Sequence, residues 1–253
     1  MNGQQPFIAK DVIPVAKDLK IDAVYRGVRA YILEHQNEGA PKLNQNVIAE
    51  KLQASRTPVV KALHMLESEG LVDNIPNRGF YIHEPTIREI SELFSVRQGL
   101  EMIAAANVSE HGTEEDFQAL ERCFSGFSDA AEINCCEYIR ADICFHQKLI
   151  ALSGNQMIAR INESFQIIPR VLSIGLLRHP RETMDEHFRL VRAMRSRDKL
   201  RSQELARLHT ENTCGYLDRL QRQLRSLGMD PDAIPAKKIT LNYGKSQDGG
   251  TAE

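Results

Sequence analysis

Four side chains in the second half of the chain have the chemistry of ligands for a transition metal ion. Asp142 and His146 are four residues apart, so both project from one face if the segment is a helix. His187 lies about ten residues before a turn at Arg197, and His209 lies about twelve residues after it. At roughly 1.5 Å of rise per residue, both imidazoles lie roughly 15 to 18 Å from that turn, at similar heights on antiparallel helices. The four groups could therefore meet inside a bundle and bind a divalent ion, with zinc as the first candidate and nickel or manganese as alternatives.

The spacing alone leaves a second interpretation open. Asp142 and His146 would then be an ordinary surface pair, and His187 and His209 would be independent polar positions. The remaining histidines lack comparable partners along the chain and are interpreted as structural or exposed; they are His35, His64, His83, His111 and His179.

A second group of chemically active side chains lies between Ser55 and Gly70. Thr57 followed by Pro58 predicts a helix start, because threonine caps helices and proline has its φ preset for the first helical position. Gly70 predicts the end of the helix. The predicted inward face consists of Val59, Ala62, Leu63 and Leu66. Donors that suit phosphates and base edges lie at the exposed start, namely Ser55, Arg56, Thr57 and Lys61.

The elements around this helix predict its setting. Residues 1–20 are predicted to form a flexible arm, and residues 21–84 a compact domain. Within the domain, a first helix is followed by a short helix over 45–53, capped by Asn44, and then by the helix described above. Two short strands follow, around a turn that contains Asn77-Arg78-Gly79. This order predicts a winged helix-turn-helix that contacts double-stranded DNA. The alternative is a three-helix module used only for protein contacts.

The composition limits the class of protein. Hydrophobic residues make up 42% of the chain and charged residues 26%, as in soluble globular proteins. The net charge is −2, so DNA contact must depend on a few well-placed cations. No apolar run approaches the roughly 18 to 20 residues of a membrane span, and the N-terminus is unlike a secretory signal. Five cysteines without CxxC spacing argue against a zinc knuckle or disulfide framework. These features predict a cytoplasmic protein with no membrane contact.

The rest of the chain is predicted to be an all-helical domain over residues 87–227. Glu84-Pro85-Thr86 breaks the preceding pattern and is the predicted boundary. The predicted helices cover 87–111, 114–128, 133–152, 156–177, 181–196 and 199–226. Pro169 is expected to kink the fourth of these, and Ile103 is expected to face inward from the first. The polar tail, 228–253, is predicted to be disordered.

The N-terminal motifs resemble those of GntR-family bacterial transcription regulators. The matching residues are 48–52, 54–59, 62–63, 66–67, 69–72 and 76–80, over about 60 residues. The resemblance implies that operator DNA is contacted by Ser55, Arg56, Thr57, Asn77, Arg78 and Gly79. In two places the chain departs from the family. Val60-Lys61 replaces the usual Arg-Glu, and Gln53 replaces the usual glycine. Because lysine lacks the planar fork of arginine, the operator sequence cannot be transferred from relatives.

The second half resembles the C-terminal domain of the FadR-like branch of this family over about 130 residues. The matching motifs are Arg97-x-x-x-Glu101, Asp142-x-x-x-His146, Ser153-Gly154-Asn155, Glu186-His187 and His209. The resemblance implies that Asp142 and the three histidines hold one divalent ion, and that a small organic acid is the effector. Arg97 is the candidate for binding the effector carboxylate, or alternatively forms a salt bridge with Glu101. Asn155 is a second effector candidate, or only a helix cap.

The sequence therefore predicts a mainly α protein, with an N-terminal winged helix-turn-helix and a C-terminal all-α helical bundle. The predicted function is that of a homodimeric, metal-containing transcription regulator that binds a pseudo-palindromic operator and responds to a small carboxylate. Because most regulators of the family it resembles are repressors, this one is expected to be a repressor too. Two alternatives remain open at this stage. One is a metal-dependent enzyme acting on an organic acid, and the other is a regulator whose metal is purely structural.

Overall fold

The computed structural model describes residues 16–35, 41–127, 133–172 and 177–236, and divides the chain into two compact units, Met1–His83 and Glu84–Glu253. The first is called the winged unit and the second the helical unit. Their elements confirm the predicted fold class. None of the helices in the described ranges is long and apolar enough to cross a membrane.

The winged unit has the predicted order of elements. It contains α1 (Ala16–His35), α2 (Gln45–Lys51), α3 (Arg56–Ser68), β1 (Val72–Ile75) and β2 (Gly79–Ile82). The expected arm over 1–20 is too long, because α1 already begins at Ala16. Leucine and lysine, which have low helix cost, fill three of the next four positions. The arm before Ala16 lies outside the described residues. Asn44 caps α2 as predicted, accepting hydrogen bonds from the backbone N–H groups of residues 46 and 47.

The predicted start of α3 is wrong by two residues. Ser55 is the N-cap, and Pro58 is the third helical residue. Proline is tolerated there because the first four N–H groups of a helix have no intrahelical acceptor. The end agrees with the prediction: Gly70 has a φ of 70°, and Leu71 N donates to Leu66 O at 2.9 Å in a Schellman motif. The inward face of α3 is buried as expected, and packs against α1, α2 and the hairpin.

The helical unit is organised around a long central helix. Its elements in the described ranges are α4 (Ile87–His111), α5 (Glu114–Glu121), a 3₁₀ turn (Arg122–Phe124), α6 (Cys135–Leu152), α7 (Gln156–Phe165), α8 (Ile167–Leu172), α9 (Pro180–Arg195) and α10 (Lys199–Ser226). Helix α4 packs along α10, α6, α8 and α9, and so reaches every element that carries a candidate ligand. Ile103, expected to face inward from α4, is 43% exposed, because it lies on the face opposite to those contacts.

Two further expectations for this unit need correction. The helix predicted over 156–177 is interrupted at Gln166, which has a φ of 49°, rather than kinked at Pro169. The proline ring would clash with the carbonyl four residues earlier, and that residue, Phe165, is where α7 ends. The helix predicted over 114–128 changes to the 3₁₀ turn after Glu121.

The tail predicted to be disordered is folded as far as residue 236. Gly228 has a φ of 73° and lets the chain reverse after α10. Ala236 is then buried, and its N–H donates to Pro85 O at 2.8 Å. Asp232 forms an ion pair with Arg88 at 3.2 Å. This short segment covers the start of α4, which explains its order; the remaining tail lies outside the described residues.

Candidate DNA-binding surface and candidate metal centre

The start of α3 and the tip of the hairpin line one groove of about 590 Å³. The predicted DNA-contacting residues in its lining are Arg56, Asn77, Arg78 and Gly79. Arg56 Nε donates to Gln45 Oε1 at 2.9 Å, so α2 orients this guanidinium. Because a guanidinium has five N–H donors, that bond uses only one of them. The groove thus combines an oriented arginine with a second arginine from the hairpin, which is a suitable arrangement for phosphates and base edges.

The hairpin tip owes its shape to its sequence. Asn77 has a φ of 61° and Gly79 a φ of 95°, conformations that asparagine and glycine adopt at low cost. Arg78 N donates to Ile75 O at 2.9 Å and closes the turn. The exposed Arg78 therefore stands at the end of the wing, held from both sides by the turn residues.

The other predicted DNA-contacting residues line a different groove. Ser55, Thr57 and Lys61 border a cavity of about 670 Å³ whose apolar wall includes Ile21 and Leu52. Helix geometry explains why these residues and Arg56 lie in different grooves. Thr57 and Lys61 are one turn apart on the same side of α3, whereas Arg56 is rotated by about 100° from Thr57 around the helix axis. The structure thus divides the predicted set between two grooves, one that includes Arg56 and the hairpin tip and one that includes Ser55, Thr57 and Lys61.

Sequence reasoning missed four polar residues of the first groove. Lys42, Asn44, Gln45 and Asn46 line it together with the start of α3. The signal was present, because Asn44 marks the start of α2 and places the next two residues at an exposed helix end. Only the packing of α2 against α3 shows that this end shares a groove with Arg56.

The four predicted metal ligands come together from three helices. His146 Nε2 and His187 Nε2 are 3.1 Å apart, and His187 Nε2 and His209 Nε2 are 3.3 Å apart. One oxygen of Asp142 lies 3.5 Å from His187 Nε2, and the other lies 3.7 Å from His146 Nε2. All four side chains are buried. The spacing argument from the turn at residue 197 thus agrees with the structure.

The two Nε2–Nε2 separations match the donor spacing around a metal ion. With metal–nitrogen bonds of about 2.0 to 2.1 Å, neighbouring ligand atoms are about 3.3 Å apart in a tetrahedron and about 2.9 Å apart in an octahedron. The two measured Nε2 separations fall at or between these values. Phe124 stacks on the His187 ring at 4.9 Å between centroids, and Phe145 packs against the same ring in a tilted arrangement at 4.4 Å, so the cluster has an apolar wall. The residues present fit a divalent transition ion.

Carboxylates lie beside the outer nitrogens of two of the three histidines. Glu101 Oε1 lies 2.8 Å from His146 Nδ1, and Glu186 Oε2 lies 2.7 Å from His209 Nδ1. Arg178 in turn makes two hydrogen bonds to Glu186, at 2.6 and 2.8 Å. A carboxylate on Nδ1 keeps the proton on that nitrogen and leaves Nε2 as the electron-pair donor, as in carboxylate–histidine–zinc arrangements. The resemblance included both glutamates, but neither was predicted to contact a histidine.

Burial also sets the protonation of the cluster. Desolvation lowers the pKa of His146 and brings that of His187 well below the ordinary 6.5, so both rings are neutral. Although burial opposes ionisation of Glu101, the Arg97 guanidinium and the neighbouring imidazoles lower its pKa well below 4.5. The Arg178 and His209 hydrogen bonds outweigh desolvation at Glu186 and lower its pKa to about 2. Neutral imidazoles beside ionised carboxylates are the forms that metal binding requires.

The two effector candidates differ in position. Arg97 is 2% exposed; its Nε donates to Glu101 Oε1 at 2.7 Å, and its Nη2 contacts His146 Nε2. It therefore forms the salt bridge given above as the alternative and also reaches the metal-ligand atoms. Asn155 caps α7, accepting hydrogen bonds from Met157 N and Ile158 N. An effector role for either residue stays a prediction.

Comparisons with known proteins agree with both units. The model for bacterial regulatory proteins of the gntR family matches residues 20–82, and the FCD domain model matches residues 92–212. The HTH-type transcriptional regulator YdhC of Bacillus subtilis is 23% identical over 199 residues, covering 76% of this chain and 88% of that protein. The transcriptional repressor GlaR of Escherichia coli K12 is 24% identical over 205 residues, covering 73% and 90%. A solved structure of a putative transcriptional regulator GntR from Rhodococcus sp. RHA1 has the same fold, with a TM-score of 0.61, 19% identity and coverage of 79% and 98%.

A winged helix-turn-helix with an exposed basic groove, followed by a helical domain with a buried polar centre, defines a DNA-binding transcription regulator. The chain belongs to the GntR family of bacterial regulators, and in its sequence an FCD domain follows the DNA-binding domain. Its relatives are transcription regulators, not enzymes, and the enzyme alternative is therefore wrong.

Proposed function

We propose that this regulator is a repressor whose operator binding is controlled by a small organic acid, bound at or near a divalent ion in the helical unit. Asp142, His146, His187 and His209 would hold the ion. The observation that carries the proposal is the convergence of three Nε2 atoms at metal-ligand spacing in a buried centre. Three imidazoles and one carboxylate favour zinc, with nickel and manganese as alternatives.

The charges around the centre support both the ion and an acidic effector. Glu101, Asp142 and Glu186 contribute three negative charges, and Arg97 and Arg178 contribute two positive charges. With neutral imidazoles the sum is −1, so a divalent ion changes it to +1. One further carboxylate would neutralise the buried centre, and buried net charge is costly. The expected effector is thus a small acid that brings at least one carboxylate to the ion.

Arg97 would be the protein group that holds this acid. Its Nε is engaged by Glu101, while its Nη2 reaches the Nε2 atom of His146, beside the place of the ion. Because Nε2 would bind the ion, Nη2 would have to leave this contact, and a carboxylate bound to the ion could replace Nε2 as its acceptor. The ion would supply electrostatic attraction for the acid, and the arginine would supply directional hydrogen bonds. Asn155, which caps α7, remains the secondary effector candidate.

On the DNA side, we propose a cytoplasmic homodimer on a pseudo-palindromic operator. Two copies would place two α3 helices in successive major grooves, with Arg56 and Arg78 of each copy near the duplex. The GlaR protein, which aligns over 90% of its length, is named a repressor, and this supports repression, rather than activation, by the present protein. The proposal requires that effector binding and operator binding weaken each other equally, because the coupling is reciprocal.

The metal part is tested by metal analysis and calorimetry on the full chain. Purified protein, stripped with chelator, is titrated with zinc, nickel and manganese, and bound metal is counted by mass spectrometry. We expect one ion per chain, no binding for His187→Ala, and greatly weakened binding for the nearly isosteric Asp142→Asn. His111→Ala, which removes an exposed histidine of the same unit, is the matched control and should bind as the wild type does. Absence of stoichiometric binding in the wild type would contradict the proposal.

The effector part is tested with an operator selected from random duplexes by the protein itself. Fluorescence anisotropy then measures operator affinity with malate, fumarate or gluconate, each with and without bound zinc. We expect at least one acid to weaken DNA binding, and only in the zinc-loaded protein. If chelator lowers thermal stability but no acid changes either stability or operator affinity, the metal is purely structural. If an acid acts equally with and without zinc, the effector site lies elsewhere.

A further inference from the structure

Two cysteines from different elements lie side by side next to the histidine cluster. Cys123 belongs to the 3₁₀ turn after α5, and Cys144 belongs to α6; their Sγ atoms are 3.5 Å apart. Cys144 is exposed and Cys123 is half-buried, so an oxidant in solution reaches the pair from the Cys144 side. A disulfide requires an S–S distance of about 2.0 Å, so the two sulfurs must approach each other by about 1.5 Å to form one.

The location gives such a bond structural consequences. Cys144 lies on α6 between Asp142 and His146, and Phe124, which follows Cys123, stacks on His187. A covalent bond between the two sulfurs would therefore fasten the 3₁₀ turn to α6, and both segments contact the cluster. The inference rests on the thiol pair alone, and holds whether or not a metal ion is bound there.

We propose that Cys123 and Cys144 form a reversible disulfide when the protein meets peroxides. The Cys144 sulfur attacks one peroxide oxygen, so that an S–O bond forms and the O–O bond breaks; the thiol proton goes to the leaving oxygen, which departs as water, and a sulfenic acid remains. The Cys123 sulfur then attacks that sulfur, the S–S bond forms, and the S–O bond breaks with loss of a second water. Two thiols are oxidised and one hydrogen peroxide is reduced, with two waters as the other products. Burial and the neighbouring Cys144 thiol raise the pKa of Cys123 to about 11, so the exposed Cys144, and not Cys123, is the sulfur that meets the peroxide first.

The test uses the full chain, reduced with dithiothreitol, desalted and treated with a small excess of hydrogen peroxide. Thiols are counted after denaturation, and non-reducing electrophoresis separates internal from intermolecular bonds. Digestion with trypsin and a glutamate-specific protease places Cys123, the Cys135-Cys136 pair and Cys144 on different peptides, because Arg122, Glu132, Glu137 and Arg140 separate them. Mass spectrometry then identifies the linked pair directly.

We expect the wild type to lose two of its five thiols, to stay monomeric in denaturing electrophoresis and to give a Cys123–Cys144 peptide, all reversed by dithiothreitol. Cys136→Ser is the matched control and should behave in the same way with one thiol fewer at the start. Cys144→Ser, a conservative change at an exposed position, should lose the linked peptide. The proposal is overturned if no thiols are lost, if the linked peptide contains Cys135, Cys136 or Cys214, if the bond joins two chains, or if dithiothreitol does not restore the thiols.

Discussion

In the winged unit the charged side chains with a candidate role are exposed, whereas in the helical unit they are buried. Arg56, Lys61 and Arg78 all face solvent, over a core whose described members are apolar apart from Arg29. In the helical unit, Arg97 and Glu101 are at most 2% exposed, and the candidate metal ligands are buried with them.

We attribute the difference to the sizes of the proposed partners. A DNA duplex is large and cannot enter a protein, so the groups that contact it stay in water and lose little hydration until it arrives. An ion or a small acid can be surrounded completely, and its ligands then lie in a medium where each unpaired charge is costly. The helical unit must therefore balance its charges internally, which explains the ion pairs of Glu101 with Arg97 and of Glu186 with Arg178.

If the two units have separate partners, a substitution among the exposed charged residues of the winged unit should change DNA binding and leave metal binding unchanged. Arg56→Ala removes a guanidinium from the groove shared by α3 and the hairpin, and should weaken operator binding by about 1 to 3 kcal/mol. Zinc affinity should be unchanged, because Arg56 belongs to the other compact unit. Fluorescence anisotropy and calorimetry on the same preparation measure both quantities. Arg26→Ala, an exposed arginine of α1, is the control and should leave both unchanged; equal losses of operator affinity for the two variants would contradict the assignment of the groove.

The complementary change is made in the buried set. Glu186→Gln keeps the shape of the side chain but removes the charge that holds Nδ1 of His209. We expect zinc affinity to fall about 10- to 100-fold, as is typical when an outer carboxylate of a metal site is replaced. Operator binding by the zinc-saturated protein should not change. Glu204→Gln, which removes an exposed partner of Arg207, serves as the control. An unchanged zinc affinity in Glu186→Gln would mean that Glu186 does not support the ligand set.

In the metal-free protein, a lower pH should destabilise the helical unit more than the winged unit. The folded-state pKa values of His146 and His187 lie below their unfolded value of about 6.5, so below that pH the unfolded chain binds protons that the folded chain does not. The stability that these neutral histidines contribute is complete above pH 6.5 and is lost as the pH falls below that value. Hydrogen exchange at pH 7.5 and 5.5, corrected for the intrinsic rate, should show reduced protection of α9 and little change in α3. Equal loss in both helices would contradict this interpretation.

Both sets of candidate residues could be selected from the sequence because each depends on spacing along one element or across one short turn. Asp142 and His146 share a helix face, and the turn at residue 197 places His187 beside His209. The contacts of Glu101 with His146, and of Cys123 with Cys144, were not predictable in this way. They depend on how α4 and the 3₁₀ turn are rotated against α6, which is decided by packing between distant segments.

Local backbone shape was harder to predict than helix content. Gln53 and Gln166 both adopt the left-handed conformation, with φ values of 51° and 49°, although glutamine does not signal it. For Gln53 a signal was available, because relatives usually have glycine in this turn. For Gln166 no such signal existed, and the prediction of a continuous helix with a kink at Pro169 was wrong as a result.

These two glutamines allow the smallest test of the difference between the units. A left-handed conformation costs a residue with a Cβ atom about 1 to 2 kcal/mol, and substitution by glycine removes this cost. The greater freedom of glycine in the unfolded chain lowers the resulting gain in stability by about 0.5 to 1 kcal/mol. Gln53 is exposed, so Gln53→Gly should stabilise the winged unit by about 0.5 to 1 kcal/mol. Gln166 is buried, and its Nε2 donates to Glu163 O at 2.7 Å, so Gln166→Gly loses a hydrogen bond and packing and should give no gain. Urea denaturation with hydrogen exchange read at α3 and α7 compares the two variants. A gain at both positions, or at neither, would show that burial does not decide the cost of this conformation here.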